Sequence, residues 1–206
     1  MAAVFRHVRG ADPDALHVGV GFSLSANAIL LLAAADPANA PDRVLAVHPP
    51  IDLERCSQVL SSGGNRVYDR RFVRVLQEWI NDAARAERLT PPTVPKGCTL
   101  RELDELFTAP AVGFPSRADY YAAASTHERV QDIAAPTHVL SAADDPFVPR
   151  QMLESAPWSA STRLFVEWSG GHMGYLAAGR SRRWLDHAVA AHVTALVGDI
   201  GNSRIH

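Results

Sequence analysis

The 206-residue chain is poor in the features that mark specialised surfaces or compartments. It has only two cysteines, Cys56 and Cys98, 42 positions apart and with no histidine at ligand spacing. That excludes a disulfide framework and a cysteine-built zinc site, and two reduced thiols are the plain reading. Neither sign of charge dominates: 20 Lys plus Arg stand against 22 Asp plus Glu, a formal charge of −2. A nucleic-acid partner would call for a basic excess or stripe, so none is expected. The longest unbroken apolar run covers eight residues, 28–35, far short of the roughly 20 that a spanning helix needs. No charged-then-apolar leader opens the chain, and the expectation is a cytoplasmic protein. What is present is 47% hydrophobic and 20% charged residues, a globular composition that supports a core and rules out bulk disorder. The length suits one domain.

Short β-rich runs alternate with longer helical patterns, as in parallel βαβ units. Strands are expected at residues 16–22, 43–47, 137–142 and 162–167, each closed by Gly, Pro or a polar turn. A helix rich in Ala and Leu follows the first strand over 24–35 and stops at Asp36-Pro37. The last helix has Ser181 as its expected cap and presents Trp184, Leu185, Ala188, Val189, Val193 and Leu196 on one face. Residues 198–206 read as a flexible tail. Between the second and third strands about ninety residues contain no convincing strand, but helices at 52–61, 68–87 and 100–107, with Pro91, Pro92 and Pro95 breaking the block. A crossover needs far fewer, so a helical lid or insertion over about 50–125 is expected. The Arg, Tyr and Phe mixture at 66–74 reads as a solvated amphipathic face, with contact to an anion as the alternative.

Gly21-Phe22-Ser23-Leu24-Ser25 stands where a strand meets a helix. In a nucleophile elbow this turn strains the serine backbone and exposes its oxygen at a helix N-terminus, where N–H groups favour a developing anion. Ser25 replaces the usual second glycine and is small enough to be tolerated. The plainer role for Ser23 is a helix cap. Downstream residues favour the elbow. A serine nucleophile needs a base, and the base needs a carboxylate to hold its tautomer. In α/β-hydrolases the chain order is Ser, Asp or Glu, His. Here Asp144-Asp145-Pro146 follows the third strand, and Gly170-Gly171-His172-Met173-Gly174 follows the fourth. Three candidate groups thus follow three strands at the C-terminal edge, where open parallel sheets place their sites. Asp145 is assigned the orienting role, with Asp144 as a turn residue and alternative acid. Asp52 is read as an N-cap, with an acid role as alternative. His48 lies near the same edge as a pocket-lining candidate. His7, His17, His127, His138, His187, His192 and His206 are assigned to surface or packing, without metal-ligand spacing.

These segments resemble the C-terminal part of the YheT-type α/β-hydrolases, relatives of the α/β-hydrolase-domain esterases and phospholipases. The matching residues include Val20-Gly21-Phe22-Ser23-Leu24 with Asn27, Pro50-Ile51-Asp52-Leu53, Arg66-Val67-Tyr68 and Leu100-Arg101-Glu102-Leu103-Asp104. Phe107-Thr108-Ala109-Pro110, Gly113-Phe114 and Asp119-Tyr120-Tyr121 are the more selective ones, and the segments around Asp145 and His172 complete the set. The resemblance implies a partial α/β-hydrolase fold with a parallel sheet of about four strands. It implies Ser23 as nucleophile, His172 as base, Asp145 as acid and the Leu24 N–H as one oxyanion donor. The implied reaction is hydrolysis of a small-molecule or lipid ester through an acyl-enzyme, with no cofactor and no metal. A thioesterase or acyltransferase is the nearest enzymatic alternative. Family members place several strands and a His-Gly-type loop before the elbow, and here Met1 stands about twenty residues before Ser23. The expectation is an N-terminally truncated domain whose first strand is an open edge, apolar on both faces. Such an edge invites self-association or a missing N-terminal partner, and a non-catalytic or split-protein fragment is the alternative from another class.

Overall fold

A computed structural model describes residues 1–87, 93–176 and 182–198. Pro91, Pro92, Ser181, His206 and nearly all of the expected tail lie outside them. The chain divides into two compact units, Met1–Asp52 with Ala124–His206, and Leu53–Ala123.

The first unit begins with helix α1, Ala2–Ala11, which has no buried residue. Its Arg9 guanidinium donates to the Ala40 carbonyl and to the Asp42 carboxylate at 3.0 and 2.9 Å. The sheet is fully parallel and ordered β1-β2-β3-β4. Its strands are β1 (Val18–Phe22), β2 (Arg43–Val47), β3 (Thr137–Ala142) and β4 (Thr162–Glu167). Every residue of β3 is buried and so are the last four of β2, as expected of interior strands whose β-branched and aliphatic runs meet cover on both faces. Each fully buried Leu or Val there contributes about 1.5–3 kcal/mol.

Strand β1 starts two residues later than expected and differs in character from an edge apolar on both faces. Gly19 and Gly21 are buried, while Val20 and Phe22 on the other face are 39% and 40% exposed. The glycines are there for approach. A Cβ on Gly21 would stand 2.7 Å from the Ala26 Cα and the Ser25 carbonyl oxygen, so only glycine lets helix α2 (Leu24–Ala35) start so close to its strand. On α2, Ala26, Ile29, Leu30 and Ala33 are buried, together with Asn27. The Asn27 amide donates to the Ala124 carbonyl at 2.8 Å, and the Thr126 hydroxyl donates to the Asn27 amide oxygen at 2.6 Å. The last helix of this unit, Trp184–Gly198, packs Leu185, Val189 and Val193 against Leu45, Val47 and Leu196, four of the six residues expected on its inner face.

The second unit is helical: α3 (Leu53–Leu60), α4 (Arg66–Ala86) and α5 (Leu100–Leu103), then a π turn over Asp104–Thr108, α6 (Ala109–Ala111) and α7 (Arg117–Ala124). A capping box starts α5, with the Thr99 hydroxyl accepting from the Glu102 N–H and the Glu102 carboxylate accepting from the Thr99 N–H. The helix expected over 100–107 is therefore interrupted after four residues, where the π turn buries the Asp104 side chain. There the Tyr121 hydroxyl donates to Asp104 at 2.6 Å. Arg101 joins α5 to α3, bonding the Glu54 carboxylate at 2.6 Å and the Ser57 hydroxyl at 2.9 Å. Two of the segments singled out by resemblance, those of Arg101 and Tyr121, thus make polar contacts within this unit, whose apolar cluster is built on Val73, Cys98 and Leu103. Two short helices had no sequence signal: α7, and Arg150–Glu154 in the first unit, which becomes α8 and makes Trp184–Gly198 α9.

Candidate active site

All three strand-end segments singled out by sequence lie in the first unit. At the end of β1 the chain turns into α2 through Ser23, whose φ of 51° and ψ of −122° lie in a region that non-glycine residues rarely enter. Three bonds hold that strain in place. The Ser23 N–H donates to the Val47 carbonyl at 2.8 Å, and the Ser25 hydroxyl both accepts from the Phe22 N–H and donates to the Phe22 carbonyl at 2.8 Å. Ser25, the departure from the second glycine, thus clasps the turn that the glycine elsewhere only permits. The side chain of Ser23 makes no helix-capping bond. Its Oγ lies instead 2.9 Å from His172 Nε2.

His172 Nδ1 lies 2.9 Å from Asp145 Oδ2. The Asp145 side chain is fully buried, and its other oxygen accepts from the N–H groups of Phe147 and Val148 at 2.8 and 3.0 Å. Burial alone would push this carboxyl upward, but the hydrogen bonds from His172 and His48 outweigh it and hold Asp145 well below the usual carboxylate range. An ionised Asp145 only accepts, so the Nδ1 atoms facing it donate, and a neutral His172 bound in that way turns its Nε2 lone pair toward Ser23.

Asp144 has a different place. Its Oδ1 accepts from the N–H groups of Gly170 and Gly171, each at 2.8 Å, and its Oδ2 accepts from the Ser169 hydroxyl at 3.0 Å. The Gly171 and Gly170 amides, with Ser169, hold this exposed carboxyl below its ordinary value. It latches the loop that carries His172, and a bond of 2.7 Å from the Gly174 N–H to the Gly170 carbonyl closes that loop. Gly170 is required by contact, because a Cβ there would run into the Tyr175 ring. The Phe147 ring meets His172 edge-on at 4.9 Å.

Leu24 is the first residue of α2, a position whose N–H has no intrahelical acceptor. Asp52 directly precedes α3. His48 is fully buried at a φ of 51° and lies 2.5 Å from Asp145 Oδ2 through Nδ1 and 2.8 Å from the Tyr175 hydroxyl through Nε2. Tyr175 carried no sequence signal, and its bond to His48 joins residues 127 apart in the chain. Among the other histidines, His17 faces Asp42 at 3.5 Å, His138 meets His192 at 3.1 Å, and His7 and His187 are exposed.

Donor atoms of His48, Asp145 and His172 lie within 4.8 Å of one another, a cluster that sequence spacing did not reveal. The separations to Asp145 Oδ2 are 2.5 and 2.9 Å. Two ligands on a tetrahedral zinc with bonds near 2.0 Å stand about 3.3 Å apart, so these are hydrogen-bond distances. No helix among the described residues is long and apolar enough to cross a membrane.

A parallel sheet flanked by helices, with a strained serine at the first strand's end and acid and histidine after the third and fourth, defines the α/β-hydrolase fold. Solved structures agree on the fold. An esterase of Pyrococcus furiosus superposes with a TM-score of 0.52 at 13% identity, covering 94% of this chain and 58% of that one. The 2,6-dihydroxy-pseudo-oxynicotine hydrolase does so at 0.53 and 21%, covering 91% and 44%.

By sequence the chain is similar to YheT and to abhydrolase-domain proteins. The chain is 31% identical over 188 residues to the Escherichia coli (strain K12) protein YheT, named as an esterase, covering 85% of this chain and 54% of that one. It is 28% identical over 191 residues to a monoacylglycerol lipase of Saccharomyces cerevisiae, covering 86% and 42%. The chain spans about half the length of the first relatives it matches. No family model matches it.

Proposed function

We propose that the chain carries the nucleophile, base and acid of a serine hydrolase that cleaves carboxylic esters of short- to medium-chain acyl groups or lipids. One observation carries the reading: Ser23 Oγ, His172 and Asp145 stand in a single hydrogen-bonded line, 2.9 Å at each step. His172 Nε2 takes the Ser23 proton as Oγ bonds to the ester carbonyl carbon. The oxygen of the tetrahedral intermediate takes the negative charge, and the Leu24 N–H at the start of α2 is one donor to it. The intermediate collapses by expelling the alcohol, which leaves with the proton from His172, and the acyl group stays on Ser23. Water, deprotonated by His172, then attacks that acyl group, and the acid leaves as Ser23 regains its proton. These steps close with the chain's own groups and water.

The named activities of the relatives, a monoacylglycerol lipase and a medium-chain fatty acid ethyl ester synthase/esterase, support the acyl-ester range. The second name also favours acyl transfer to an alcohol in place of water. A fluorophosphonate probe tests the core of this reading. It is expected to label Ser23, located by peptide mass, with no labelling of Ser23→Ala. Folded protein that resists labelling overturns the assignment, and a preference for thioesters over matched oxygen esters moves it to a thioesterase.

A second reading rests on a separate observation. Strand β1 pairs only with β2 among the described residues, and Val20 and Phe22 are exposed beside its open edge. Pairing of that edge with another strand would join this chain to a second copy or to a partner.

A further inference from the structure

His48 is a buried titratable side chain that the acyl-transfer steps leave unused, and it touches the group on which they depend. It follows β2 directly. Its N–H donates to the Leu140 carbonyl at 2.7 Å, and its φ is 51°. Nδ1 lies 2.5 Å from Asp145 Oδ2, the same oxygen that His172 Nδ1 approaches to 2.9 Å. The two imidazole rings stand edge-on, centroids 5.3 Å apart. On the far side Nε2 lies 2.8 Å from the Tyr175 hydroxyl, and the Tyr175 ring stacks on Trp184 at 4.5 Å.

Proton directions along this line are fixed by its charged member. An ionised Asp145 only accepts, so His48 donates from Nδ1. A neutral His48 then accepts at Nε2, and the donor is the Tyr175 O–H. That hydroxyl stays protonated, because burial, with Glu167, Asp145 and Asp144 nearby, pushes it up. The Ser141 hydroxyl, 3.4 Å from Nδ1, completes the surroundings. The charged or titratable groups facing Asp145 are thus His172 and His48, with Tyr175 behind His48 and Asp144 and Glu167 at the neighbouring strand ends.

We infer that His48, backed by Tyr175, is a positioning residue that holds the Asp145 carboxylate in register and divides its hydrogen bonding between two imidazoles, so that Asp145 grips His172 less tightly than it would alone. The inference rests on the triad reading above. Without the His48 N–H, the carboxylate charge concentrates on His172, the imidazolium form is favoured, and the acid limb of activity moves to higher pH.

The test is the pH dependence of the fluorophosphonate labelling rate at Ser23, measured on the whole chain and on His48→Ala, His48→Asn and Tyr175→Phe. His48→Ala is expected to label about tenfold more slowly, the size of one lost charge-assisted hydrogen bond, with its acid limb displaced upward. His48→Asn, whose amide N–H takes the place of Nδ1–H, is expected to restore the wild-type limb and most of the rate. Tyr175→Phe should fall between them. If His48→Ala does not fold, the Asn and Phe variants carry the comparison. A folded Ala variant with an unmoved limb, or an Asn variant no better than Ala, overturns the inference. So does a ¹⁵N spectrum showing His48 protonated at Nε2 alone. Labelled wild type with unaltered variants refutes only this positioning role, whereas unlabelled wild type refutes the hydrolase reading beneath it.

Discussion

Asp144 and Asp145 are adjacent and chemically alike, yet they face different partners, so substituting each in turn separates their tasks. Asp145 meets two imidazoles and two backbone amides; Asp144 meets the amides and hydroxyl of the loop that carries His172. Asp145→Asn presents an amide where two donors need an acceptor, and turnover of a simple ester is expected to fall about 10⁴-fold, as when such a carboxylate is removed from other serine hydrolases. Asp144→Ala leaves the line from Ser23 to Asp145 in place and loosens only the loop. Its turnover is expected to fall about tenfold, with a larger share of the loss in kcat than in KM. Equal losses in the two variants would contradict this division. Sequence singled out the pair because it follows the third strand at the C-terminal edge of the sheet and stands between the serine and the histidine in chain order. It preferred Asp145 and kept Asp144 as the alternative acid, since the partners that distinguish them lie 26 and 27 positions away.

At the level of elements, the strands were the most readable part. Those at Arg43–Val47, Thr137–Ala142 and Thr162–Glu167 stand at the expected boundaries because interior parallel strands are unbroken aliphatic or β-branched runs bounded by Pro, Gly or polar turns. The short helices α7 and α8 escaped notice, as five to eight residues carry too little periodicity. Tyr175 escaped for another reason, and His48, read only as a pocket-lining candidate, was not linked to Asp145: their bonds span 127 and 97 positions. Two expectations concern elements that must fit closely. Gly170→Ala pushes a methyl into the Tyr175 ring and is expected to cost about 1–3 kcal/mol of stability in chemical denaturation. Thr126→Val keeps the shape but leaves the buried Asn27 amide oxygen without its 2.6 Å donor. A loss of about 1–3 kcal/mol is expected, and a neutral result would show that Asn27 finds another partner.

For the whole molecule, acid is the revealing perturbation. Burial raises Asp145, but its hydrogen bonds from His172 and His48 leave it lowered; Glu54 is lowered by Arg101. A group lowered on folding adds stability above its unfolded value, about 3.9 for Asp and 4.3 for Glu, and loses it as pH falls through the folded value. Asp104 runs the other way: burial raises it, so its contribution is present below the unfolded value and fades as pH rises through the folded one. Stability is therefore expected to drop below about pH 4, with a shallower drop in Asp145→Asn, measured by denaturant unfolding across pH. The open side of β1 makes a separate claim at this scale. Val20→Lys places a charge beside that edge, and any concentration-dependent association seen by sedimentation should weaken.

The turn at position 23 also limits which side chains fit there. A backbone at φ 51° leaves little room for a second substituent on Cβ. Threonine, although it keeps a hydroxyl, would crowd against its own main chain, while cysteine has the same unbranched outline as serine. Exchange of oxygen for sulfur is therefore the milder alteration here, and one added methyl the more damaging.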